Sequence, residues 1–146
     1  MPIKRIWAAT VWAKHSGSTH DWRFRGILTW VLPATDALFL AFGLIGWAVG
    51  VQTVVAITGH AWQGWWSLGV ALAAGIALVG SVFPALWWLE LAGKVPLVGL
   101  LTVYVAALAV RGVPTALLVI VLQLLPLWRV LDLSGAVLWL KSRGRL

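Results

Sequence analysis

Hydrophobic residues in this chain come in long runs, and the polar residues gather in the short gaps between them. The clearest run lies between two tryptophan pairs, Trp65-Trp66 and Trp87-Trp88, and no charge falls between Ser67 and Leu89. Trp66 to Trp87 is 21 steps, about 32 Å at helical rise. That matches the ~30 Å hydrocarbon core of a bilayer. Tryptophan favours the headgroup level, where its ring is half buried and its N–H stays wet. The stretch 65–89 therefore predicts a spanning helix with an aromatic anchor at each end.

Three further runs surround it. Residues 27–57 hold more than one crossing length, and Pro33 and Asp36 lie inside them. Two readings stand open there. In one, a long tilted helix kinks at Pro33 and encloses Asp36. In the other, Thr35 caps a helix over 35–57, and Asp36 sits in the first turn, where the helix dipole favours a carboxylate. The second is preferred because it needs no buried charge, with 27–33 as an interfacial approach. Residues 95–110 and 113–128 are the last two runs, each opened by Val-Pro, and proline is tolerated in a first helical turn. With borrowed flanks the predicted spans are 35–57, 65–89, 93–111 and 113–131. At 16 residues each, the last two runs are short, which leaves a re-entrant hairpin as the alternative.

The expected architecture is an all-α membrane protein: four transmembrane helices in an antiparallel bundle over 27–133. Basic segments flank it. Residues 1–26 place Ile3, Ile6, Trp7 and Val11 on one side of a helical wheel and Lys4, Arg5 and His15 on the other, as in a helix lying in the interface. The apolar stretch 6–13 is short, Lys14 follows it and no small-x-small cleavage site appears, so no signal peptide is expected. Residues 134–146 read as a basic interfacial tail, although the fourth helix could instead run on to Leu140.

Composition supports the membrane class. Of 146 residues, 62% are hydrophobic and 10% charged, with a mean hydropathy of +0.96. A soluble domain averages nearer ~25% charged. The absence of cysteine excludes disulfides and thiolate chemistry. The net charge of +7 sits at the two ends and suits an anionic inner leaflet better than nucleic acid. Five cations precede the first run (Lys4, Arg5, Lys14, Arg23, Arg25). Arg129, Lys141, Arg143 and Arg145 follow the fourth, and Lys94 marks the middle loop. The other side has Arg111 alone. The positive-inside rule then puts both termini in the cytoplasm, in a cell inner membrane.

Candidate chemistry is sparse. Asp36, Gln123 and Arg129 are the possible intramembrane polar residues, since a charge in hydrocarbon usually has a partner or a task. Glu90 and Lys94, four apart, predict a surface ion pair at a helix end, and Arg129 with Asp132 reads likewise. Gln123 is expected to hydrogen-bond across helices, with Thr102 and Tyr104 available to join it. Gly46 and Gly50 form a GxxxG, and Gly69 with Ala73 and Ala71 with Gly75 repeat that spacing, so close packing of the first two helices is expected through them. Trp30, Trp65, Trp66, Trp87, Trp88 and Trp128 are the expected interfacial anchors. The three histidines have no metal-ligand spacing, and no nucleophile elbow, phosphate loop or paired catalytic acids appear. No cofactor and no enzymatic activity are expected.

The layout of basic tail, four runs with minimal loops and basic tail resembles the small Trp-rich four-span membrane proteins of actinobacterial phages, a group that includes presumed holins. The resemblance implies a lesion former acting by association, with itself or with a membrane partner. Met1 is the only methionine, which departs from holins that make a second product from an internal start. The competing reading is a small ion-coupled carrier with Asp36, Gln123 and Arg129 along a polar path, or an accessory subunit of a larger complex.

Overall fold

A computed structural model describes Thr10 and residues 27–142. The interfacial helix expected over 1–26 and the last residues of the basic tail lie outside the described residues. Five α-helices make up the rest: α1 (Leu32–Val49), α2 (Gln52–Thr58), α3 (His60–Val82), α4 (Trp87–Val110) and α5 (Thr115–Ser142). A π-helical turn, Ile27–Val31, leads into α1, and a 3-10 turn, Pro84–Leu86, joins α3 to α4. Four stretches are long and apolar enough to cross a membrane: Thr29–Val49, His60–Val82, Pro84–Val110 and Thr115–Gly135.

The number of spans agrees with the hydrophobic runs, but their boundaries differ. The first span ends at Val49, eight residues before the expected 57. Gly50 and Gly59 adopt φ of +90° and +80°, which side-chain-bearing residues rarely reach. They bracket the separate helix α2, so Gly50 is a helix terminator and not half of a packing GxxxG.

The second span does not continue to residue 89. It stops at Val82, since Pro84 biases Phe83 out of the helical region, and Phe83 is extended at φ −112°, ψ 94°. Trp87 and Trp88 accordingly open the third span instead of closing the second. The expected turn at 92–94 is helix interior, and so is Pro96. α4 has 24 residues, about 36 Å, so the shortness that suggested a re-entrant hairpin is gone. α5 continues through the expected start of a separate tail at 134.

The helices pack as a row. α3 lies between α1 and α4, α5 packs on α4, and α2 sits against α3 and α4. Small residues set the close approaches. A methyl group built on Gly43 would lie 2.5 Å from the Ala71 nitrogen, and one on Gly93 would lie 2.6 Å from the Ala73 carbonyl oxygen. One on Gly80 would collide with the Glu90 backbone. Among the glycines expected to pack, Gly46 meets Val51 and Ser67, and Gly69 meets Leu100. At Gly75 an added methyl would make only ordinary contact with Leu40. Ala73 is buried in the core with Phe39, Val54, Trp66, Val70, Ala74, Leu97 and Leu101.

Trp66 belongs to that core. It is 8% exposed, against 70% for Trp65. Its indole N–H donates to the Leu100 carbonyl at 3.2 Å, and its ring lies 6.1 Å from Phe42 and 5.5 Å from Tyr104. The expected anchor is a packing residue, because an indole can bury when its one donor finds an acceptor. Trp30, Trp65, Trp87, Trp88 and Trp128 remain exposed.

Gly93→Ala should destabilise the protein by about 1–3 kcal/mol, since the methyl has no room between two backbones. Gly64→Ala, with nothing within 4 Å, should be neutral or stabilising by up to ~1 kcal/mol. Equilibrium unfolding in mixed detergent micelles measures both.

Candidate functional site: a buried ion cluster on four helices

The site begins with how α1 starts. Because the helix already runs back through Ile27–Val31, Thr35 is no cap. Its hydroxyl donates to the Val31 carbonyl at 2.7 Å, one turn back. Asp36 is thus inside a continuous helix and only 1% exposed. The interfacial-cap reading fails for this reason. The long-helix reading is nearer, and the carboxylate has a buried partner.

That partner is Lys94, which is fully buried. Its three ammonium protons have three acceptors: Glu90 Oε1 at 2.5 Å, Ser81 Oγ at 3.3 Å and Asp36 Oδ2 at 3.5 Å. Ser81 in turn donates to Asp36 Oδ2 at 2.5 Å, with the Ala77 carbonyl as a second acceptor at 2.9 Å. The expected surface pair of Glu90 and Lys94 is therefore an interior one, because α3 covers that face of α4. Gly80 permits this by letting its backbone press against Glu90.

Arg129 reaches the same carboxylate from α5. Its Nε donates to Glu90 Oε1 at 3.0 Å and its Nη2 to Glu90 Oε2 at 3.3 Å, a forked geometry suited to a carboxylate. Its Nη1 donates to Asp132 Oδ2 at 2.7 Å. Exposure rises along the chain of contacts, from 0% at Lys94 to 51% at Asp132. The cluster thus draws on α1 (Asp36), α3 (Ser81), α4 (Glu90, Lys94) and α5 (Arg129, Asp132). It lies toward one end of the spans: Lys94 is 16 residues before Val110, about 24 Å along the helix.

Gln123 is elsewhere. Its amide donates across to α4, to the Val98 carbonyl at 3.1 Å and to Thr102 Oγ1 at 2.7 Å. The expected partner Thr102 is in this small network, while Tyr104 joins the aromatic cluster instead. The structure therefore brings Asp36 and Arg129 into one cluster and leaves Gln123 in another. Sequence reasoning missed Ser81 and the burial of Glu90 and Lys94. The available signal was the small pair Gly80-Ser81 near a helix end, opposite an acid and a base four residues apart. Among the described residues, no three His, Asp or Glu side chains are grouped to hold a metal ion.

An ammonium with no water around it depends on its carboxylates, and removing one partner of a buried pair leaves an uncompensated charge. Lys94→Met should destabilise the protein by about 3–5 kcal/mol, because buried Asp36 loses the cation beside it and Glu90 is left with Arg129 alone. Asp36→Asn should cost less, since Lys94 keeps Glu90. Asp132→Asn, at the exposed end, should cost less than about 1 kcal/mol. Detergent unfolding curves for the three variants should show that order.

No protein-family model matches this chain, and no curated protein or solved structure is significantly similar to it.

Proposed function

We propose that this is a non-catalytic multipass membrane protein that acts by associating within the bilayer, and that its concrete form is a holin-like lesion former. The observation that carries this reading is the way the charges inside the spans are used. Both cations of the cluster are engaged with carboxylates of the same chain, on three of the four spanning helices, and Ser81 joins the remaining one by hydrogen bonds. A carrier needs ionisable groups placed along a path. Here they are gathered at one end, and toward the other ends of the spans the internal polar contacts come from uncharged side chains such as Gln63, Thr102 and Gln123. Such a cluster fastens helices and leaves the apolar outer surface as the working face. The fourth span is 17% buried, against 50% for the second, so most of that helix is open to lipid or to another protein.

The charge distribution supports an inner-membrane protein with both termini in the cytoplasm and the helices antiparallel. Lys94 and Arg129 belong to the cluster, yet eight cations still flank the spans on the side of the termini: Lys4, Arg5, Lys14, Arg23, Arg25, Lys141, Arg143 and Arg145. Arg111 faces them alone. At roughly 1 kcal/mol per cation near an anionic leaflet, that difference favours the cytoplasmic side for both termini.

One observation favours the carrier as second reading: Asp36 is a carboxylate deep among the helices, and intramembrane acids mark proton and ion routes.

Induced expression in bacteria should arrest growth abruptly and admit a membrane-impermeant dye, and reporter fusions at the two termini should both report the cytoplasm. Harmless accumulation would overturn the lesion reading. Asp36→Asn should leave dye entry intact once corrected for protein level, whereas a carrier would lose ion-driven flux in vesicles.

A further inference from the structure

Association needs a surface, and one polar group identifies it. The Val98 carbonyl can only accept a hydrogen bond, so the amide nitrogen of Gln123 must face it. That turns Oε1 away from α4. Both amide hydrogens are used, on Val98 and Thr102, while among the described residues no group donates to Oε1. Thr102 beside it is exposed, and its hydroxyl donates to its own Val98 carbonyl, which already receives Gln123. Gln123 lies eight residues from Thr115, and Thr102 eight from Val110, about 12 Å into the membrane by helical rise. Lipid chains at that depth offer no hydrogen-bond donor.

We propose that a second copy of this chain docks on the α4–α5 face through Gln123 and Thr102. This rests on the association reading above. The surface is self-complementary: it carries an acceptor with no donor among the described residues, Gln123 Oε1, and a hydroxyl proton that can be redirected, on Thr102. In a two-fold pair each Thr102 donates to the other copy's Gln123, so both unmet acceptors are satisfied by one symmetric contact. Gly99 and Ala106, exposed on the same side of α4, leave room for a helix to approach, and nothing lies within 4 Å of where a Gly99 side chain would begin.

The chain contains no cysteine, so single introduced cysteines report contacts directly. In lipid vesicles, Ala106→Cys should form a covalent dimer under mild oxidation, and Ile45→Cys on the outer side of α1 should not. Adding Thr102→Val, which leaves the Gln123–Val98 bond in place, should lower the Ala106→Cys dimer yield roughly tenfold, two interhelical hydrogen bonds being lost. Undiminished cross-linking in that double variant overturns the assignment. Cross-linking through Ile45→Cys alone also overturns it, while leaving self-association standing. Absence of a dimer from either position removes both.

Discussion

The structure depends on the pairing of one ammonium group. Lys94 sits where no water reaches it, and the idealised cost of moving such an ion into a low-dielectric interior is on the order of 20 kcal/mol. Three acceptors on three helices offset that cost. Each must be held in place, so the requirement spreads outward. Glu90 needs Gly80 to be small, Asp36 needs α1 to continue through Pro33, and Ser81 needs α3 to end where it does. Arg129 then brings in the last helix through the same carboxylate. Burial of one charge thereby specifies how four spanning helices meet at one end.

The rest of the protein is held differently. Away from the cluster the helices contact through Gly43 and Ala71, through the Phe42–Trp66–Tyr104 aromatics and through side chains donating to backbone carbonyls. In lipid such packing replaces the hydrophobic effect, because lipid tails are as apolar as the side chains. Polar fastening at one end and close van der Waals packing elsewhere fit a protein whose outer surface remains available.

Much of the fold was legible in the sequence, and the reasons are physical. Four runs of apolar residues are required by the bilayer, and hydropathy finds them. Gln123 with Thr102 was legible too, since an amide within a spanning run must find a partner. The turns were harder. Phe83 and Pro84 lie within an apolar stretch, so the break there has no polar marker, whereas Ala92, Gly93 and Lys94 look like a turn and are helix interior. Trp66 shows the same difficulty in another form. Neighbouring indoles at 65 and 66 are identical in composition, and only the course of α4 decides which one faces lipid. Glu90 and Lys94 carry the right spacing for a surface pair, and nothing local reveals that α3 will cover them. Asp36 was correctly singled out, but the dipole argument assumed a helix start at Thr35 that the preceding turn removes.

The position of Lys94 in the chain also bears on how the protein is made. Asp36 emerges from the ribosome 58 residues before Lys94 and 93 before Arg129. At synthesis rates of about 5–20 residues per second, the first hydrophobic segment waits roughly 3–12 seconds for its counter-ion. The ion pair that ties the first spanning helix to the third is therefore made only after the third has been translated, so this contact between helices is set late in synthesis.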